Sequence, residues 1–128
     1  MCVCFFLSTR SLVISVGCEP TEMGIGPVPA IQNALKIAGK SLQDVDRFEI
    51  NEAFAAQFLA CAKVLELDME KTNVNGGAIS LGHPLGASGS RIAAHLANEF
   101  SRNPDMNVAV GSACIGGGQG ISVVLERA

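Results

Sequence analysis

The 128-residue chain has no Trp and no Tyr, so its aromatic content is six Phe. Without stacking platforms it is a poor candidate for binding single-stranded nucleic acid. A net charge of −3 leaves no broad phosphate-binding footprint either. Charge of both signs is scarce, at 16% against the usual quarter or so, whereas the 48% hydrophobic content is ordinary. A weakly charged surface predicts cover by an oligomer partner or a further domain. No apolar run approaches the roughly 20 residues of a membrane span. His83 and His95 are the only two histidines and do not stand at ligand spacing on one helix, so no metal site is expected. The five Cys are odd in number and form no disulfide framework, which reads as a reducing compartment.

What is abundant is glycine, with 14 residues concentrated at 24–26, 76–89 and 111–120. The N-terminal Met1 to Leu7 is a short apolar run without a basic flank, a poor signal or transit peptide. It reads as a chain that starts inside a larger domain. Ser11 to Gly17 has the Val/Ile content of a strand. Cys18 to Gly26 is a loop, and Pro27 and Pro29 suit the first turn of a helix. Ile31, Leu35 and Ala38 give that helix one apolar face, and Gly39 ends it. Val45 to Ile50 alternates as a strand with Phe48 and Ile50 on one side. Asn51 then serves as N-cap of a helix from Glu52 to Leu67 that buries Phe54, Phe58, Ala62 and Leu65. Thr72 to Gly89 is a long Gly-rich segment, the kind of loop that is usually functional. A helix over Ser90 to Phe100 and strands over Asn107 to Ser112 and Ile121 to Glu126 complete the chain. The alternation predicts a layered α/β domain with a mixed sheet, its last two strands antiparallel across Ala113 to Gly120.

Three polar points fall at element ends or in Gly-rich loops, where α/β scaffolds carry their sites. Asn51 before Glu52, Ala53 and Phe54 is, taken alone, an ordinary helix cap. His83 sits in Gly82-His83-Pro84-Leu85-Gly86, and an isolated loop histidine is commonly structural or solvated. Here glycine on both sides and Pro84 after it predict a rigid, poorly solvated imidazole, suited to act as base or hydrogen-bond donor near neutral pH. Cys114 precedes Gly116, Gly117 and Gly118. Most free cysteines are small buried hydrophobes, but a thiol directly after a strand, beside bare backbone N–H groups, can sit next to an oxyanion site. Two rival motifs fail. Gly24-Ile25-Gly26 lacks the final Gly of a dinucleotide fingerprint, because Pro29 stands there. No segment fits a phosphate-binding P-loop.

In this order the motifs are specific together. Asn51-Glu52-Ala53-Phe54, Asn75-Gly76-Gly77-Ala78, Gly82 to Gly86 and Cys114 to Gly118 resemble the C-terminal half of thiolases, as does Met23 to Ala30. The resemblance runs from about Val13 to the end. Residues 1–10 do not match, so the division is an N-terminal extension (1–10) and a thiolase C-terminal domain (11–128). The wording of 72–77 and 112–120 is most similar to the mitochondrial 3-ketoacyl-CoA branch. What the resemblance implies is one half of a five-layer fold and an acyltransferase of fatty acid β-oxidation. Its reaction is thiolytic cleavage of 3-ketoacyl-CoA to acetyl-CoA and a shortened acyl-CoA, or the reverse Claisen condensation. Coenzyme A is then a co-substrate, with no permanently bound cofactor and a mitochondrial location. His83 would activate the acyl-bearing Cys and donate to the thioester oxygen. Asn51 would hold a water completing that oxyanion hole. Cys114 would move the proton at Cα, the Gly116 N–H would belong to a second oxyanion hole, and Met23, Ala53 and Phe54 would line the acyl and pantetheine pocket. The chemistry needs a close base and a stabilised enolate oxygen. A thiol, ordinarily near pKa about 8.5, can be that base if its neighbours lower it.

In thiolases the acyl-bearing Cys comes from the N-terminal half, and nothing before Ser11 resembles that half. Cys2, Cys4, Cys18 and Cys61 match no nucleophile motif. The expectation is a chain that is catalytically incomplete alone and leaves an apolar face uncovered for an N-terminal half or a thiolase subunit. A non-catalytic docking fragment is the alternative. A Cys–His hydrolase built on Cys114 and His83 is a third reading, which the Asn51 and Gly-loop context disfavours.

Overall fold

The computed structural model describes residues 9–128. The apolar run Met1 to Leu7, with Cys2 and Cys4, lies outside the described residues. Strand β1 (Thr9–Gly17) begins two residues earlier than its Val/Ile content predicts, and a 3-10 turn (Pro20–Ile25) follows. Helix α1 (Pro27–Ala38) has Pro27 in its first turn and ends on Gly39, whose φ of 68° suits glycine. Strand β2 (Arg47–Ile50), helix α2 (Ala55–Leu65), a short helix α3 (Ala78–Leu81), helix α4 (Ser88–Arg102) and strands β3 (Val108–Ile115) and β4 (Gln119–Arg127) complete the order.

The strands form one mixed sheet in the order β1-β4-β3-β2. β3 and β4 pair antiparallel across a tight Gly116–Gly118 turn, β4 pairs antiparallel with β1, and β2 runs parallel to β3 with Ile50 opposite Ser112. The expected mixed α/β layering is therefore present. Helices α1 and α2 cover one face, where Ile31, Leu35, Phe48, Ile50, Phe58, Val110 and Val124 form the main core. Helix α4 covers part of the other, packing Ile92, Leu96 and Phe100 on Ala109 and Leu125.

Several local expectations need correction. Asn51 is not a helix cap: α2 starts only at Ala55, and the preceding Phe54 is extended at φ −146°. The amides just ahead of the helix are held by Gln57, whose Oε1 accepts from the N–H of Ala53 and Phe54 at 3.1 and 3.4 Å. Phe54 therefore stands outside the helical register and is 66% exposed rather than buried. The Thr72–Gly89 segment is not structureless, because α3 lies inside it and α4 begins at Ser88. Strand β3 runs on to Ile115, so Cys114 lies within the strand rather than after it.

Candidate active site

The parallel pairing of β2 with β3 brings two chain positions far apart in sequence to one sheet end. The Asn51 N–H donates to the Ser112 carbonyl at 2.8 Å, which places Asn51 one step from the register of Ser112, two residues before Cys114 on β3. Asn51 is 1% exposed. Its Nδ2 lies 3.4 Å from His83 Nε2, and its Oδ1 has no hydrogen-bond partner. On the other side of the ring, His83 Nδ1 lies 2.7 Å from the Ser88 hydroxyl, which itself donates to the Pro84 carbonyl at 3.1 Å. With the hydroxyl proton on Pro84, Nδ1 is the ring donor, and Nε2 carries the lone pair that accepts from Asn51. The helix that begins at Ser88 thus orients the imidazole from behind.

His83 is exposed, not poorly solvated as its glycine-rich setting suggests. Gly82 and Leu85 beside it are also exposed, so rigidity comes from Ser88 and Asn51 rather than from burial. Cys114 lies at the same sheet end but makes no hydrogen bond to His83 or Asn51 among the described residues. Burial pushes its thiol above the ordinary 9.0, so it is held as the protonated thiol, and the expected lowering by neighbours does not occur. Cys61 is pushed up too, chiefly by burial, and its Sγ donates to the Gly24 carbonyl at 3.5 Å.

The turn carrying Met23 is welded to β4, the strand paired with that of Cys114. A Cβ on Gly120, the β4 partner of Cys114, would collide with the Gly26 backbone, and a Cβ on Gly26 would meet the Gln119 carbonyl. Only glycine at both positions permits that crossing. Gly24 in turn packs on Gln57 of α2, the residue that fixes Ala53 and Phe54. Met23, Ala53, Phe54 and Cys114 are thereby drawn to one end of the molecule. Gly116 opens the exposed hairpin turn, followed by Gly117 and Gly118 at φ 87° and 88°.

Sequence reading missed Ser88, because a serine at a helix start signals only a cap. It also missed a buried ionic group behind Asn51. Glu49, two residues earlier on β2, is 1% exposed and faces Arg91 Nη1 at 3.6 Å and His95 Nε2 at 3.3 Å from α4. Burial holds the Glu49 carboxyl up at about 7 against the pull of Arg91, and burial lowers His95. Arg47 pairs with Glu99 at 3.1 Å one turn further along. These contacts moor α4, and with it Ser88, to the strand that leads into Asn51.

The family description "Thiolase, C-terminal domain" matches residues 6–127. The chain belongs to the thiolase family. It is 66% identical over 110 residues to human mitochondrial 3-ketoacyl-CoA thiolase, covering 86% of this chain and 28% of that protein. It is 57% identical over 113 residues to an acetyl-CoA acetyltransferase of Escherichia coli K12, covering 88% and 28%. The crystal structure of the human mitochondrial thiolase in complex with CoA superposes with a TM-score of 0.90 at 60% identity, covering 94% of this chain and 30% of that one. This thiolase chain thus spans less than a third of the length of the relatives it matches, and it has the layered α/β fold of their C-terminal region.

Proposed function

We propose that this thiolase chain supplies the proton-handling half of a 3-ketoacyl-CoA thiolase site. The Asn51–His83–Ser88 relay at the sheet end that holds Cys114 carries the reading. An acyl-accepting thiol comes from outside these residues. His83 Nε2, bare and oriented, takes that thiol's proton and then donates it as a hydrogen bond to the substrate oxygen. The buried Asn51 Oδ1 without a partner is a ready acceptor for the water of this oxyanion hole. The thiolate adds to the 3-keto carbon. The bond between C2 and C3 breaks with its electron pair on the acetyl-CoA fragment, leaving the acyl group as a thioester on the nucleophile. The Cys114 Sγ–H, kept protonated by burial, gives its proton to Cα of the enolate, whose oxygen the Gly116 N–H supports. The resulting Cys114 thiolate takes the proton of an incoming CoA thiol, whose sulfur displaces the acyl group as acyl-CoA and frees the nucleophile. Met23, Ala53 and the exposed Phe54 line the acyl and pantetheine path. A mitochondrial location accords with the human relative.

The experiment mixes the 128-residue chain with acetoacetyl-CoA and CoA, alone and with the N-terminal segment of the human mitochondrial relative. Thiolysis is expected only in the mixture and is lost on His83→Ala and Cys114→Ser. Turnover by the chain alone, or turnover in the mixture indifferent to Cys114→Ser, contradicts the reading.

A docking role without catalysis is favoured by one observation. The sheet face beside α4 carries a groove lined by Val13, Ile92, Ile121 and Val123, and Val13 is 58% exposed there. Stoichiometric binding of the N-terminal segment without thiolysis would select that reading.

A further inference from the structure

The residue after Asn51 has a place in the site that its motif does not reveal. The Glu52 carboxylate ties the end of β2 to the start of α3. Its Oε1 accepts from Asn73 Nδ2 at 2.8 Å, and its Oε2 accepts from the Ile79 N–H at 3.0 Å. No Lys, Arg or His pairs with it among the described residues, so hydrogen bonds alone hold the charge. Its partner Asn73 is fixed in turn. At φ 48° it docks edge-on to β2, with its Oδ1 accepting from the Ile50 N–H at 2.9 Å and its Nδ2 donating to the Ile50 carbonyl at 3.0 Å. The Asn73 N–H also donates to the Phe48 carbonyl at 2.9 Å. Gly77, the residue before α3, runs so close that any Cβ there would overlap the Glu52 carboxylate.

We infer that Glu52 is a positioning residue that sets the separation of Asn51 and His83. Asn51 is its immediate neighbour on one side. On the other, Ile79 lies on the four-residue α3, which ends at Gly82 (φ 99°) directly before His83. Glu52 is thus a strut between the two segments that carry the facing side chains. Loss of the strut frees α3 and the Gly82 hinge together, since the short helix has no other side-chain cap. The role touches no reacting atom. Its catalytic meaning rests on the thiolase reading, whereas the geometry itself can be read without turnover.

The test is nuclear magnetic resonance on the 128-residue chain, with amide exchange at Ile79 and the signals of the His83 ring and Asn51 side-chain amide as readouts. Glu52→Ala removes both acceptors. Glu52→Gln keeps the size but turns an N–H₂ toward Asn73, so one bond is lost. In both variants the Ile79 amide is expected to exchange faster, at least about tenfold in Glu52→Ala, which loses the bond, and by less in Glu52→Gln, where a neutral amide oxygen replaces the charged acceptor. The Asn51 and His83 side-chain signals are expected to move, with Val110 exchange in the core unchanged. Faster Ile79 exchange with unmoved Asn51 and His83 signals overturns the positioning role, as does unchanged Ile79 exchange. If Glu52→Ala fails to fold, Glu52→Gln decides on the same criteria. Moved signals in a chain that gives no thiolysis with the N-terminal segment uphold the strut and defeat the thiolase reading instead.

Discussion

The two faces of the sheet are built from different materials. Between α1, α2 and the sheet, Ile31, Leu35, Phe48, Ile50 and Val110 form an apolar layer with no charged member. Under α4 a smaller apolar cluster is joined by Arg47, Glu49 and Asn51 of the sheet and Arg91, His95 and Glu99 of the helix, and beyond them the β1 and β4 surface is bare at Val13. The first face supplies stability by burial. The second accepts the cost of desolvated charge, which rarely repays itself in stability, and it holds the site at its edge. Function and the open face share one side of the molecule.

Breaking the apolar face should have the largest effect. Ile31→Ala empties a fully buried position and is expected to cost about 3 kcal/mol in urea unfolding. A cost under about 1 kcal/mol would mean that this face is not the main source of stability.

The charged face should answer to pH instead. The folded chain keeps the Glu49 proton up to about 7, whereas an unperturbed carboxyl loses it near 4.5. The stability contributed by this group is therefore complete below about 4.5 and is lost as pH rises through about 7. Glu49→Gln removes the dependence, so the variant should gain on the parent by on the order of 1–3 kcal/mol between about pH 5 and pH 8. Burial shifts His95 in the opposite sense, and because His95 Nε2 lies 3.3 Å from Glu49, the difference between the two chains reports the contacting pair. A constant gap between the two unfolding curves across that range would sink the assignment.

The smallest stability effect belongs to the bare surface. Val13→Asp should change the unfolding free energy by less than about 0.5 kcal/mol. It should nonetheless weaken binding of the N-terminal segment at least tenfold, measured by calorimetry. Equal binding by parent and variant would show that this face is not the one that is covered.

The contrast also explains what was legible in the sequence. Period-2 and period-3.6 patterns found the strands, α1 and the antiparallel ending, since those patterns report one buried face. They placed Phe48 and Ile50 inward correctly and left Glu49 outward by default. A parallel strand covered on both faces has no outward side, and nothing local in Arg47-Phe48-Glu49-Ile50 says that α4 lies beyond it. Asn51 and His83 were identifiable as polar points among glycines, but only the family resemblance, not any local pattern, joined them in one oxyanion hole, because 32 residues separate them. Asn51 does not cap α2 because the helix starts only at Ala55. Phe54 fitted the helical pattern of α2 yet lies outside the helix. Ser88 left no trace, since a hydroxyl bonded to a ring nitrogen has no period.

The central claim is a preformed base, a His83 ring that Ser88 and Asn51 hold in one tautomer. Nitrogen resonance of the neutral His83 ring in the 128-residue chain tests it most directly. The expected spectrum shows a protonated Nδ1 and a bare Nε2, and that preference disappears in Ser88→Ala. A ring averaged between tautomers, and unchanged by Ser88→Ala, would contradict it.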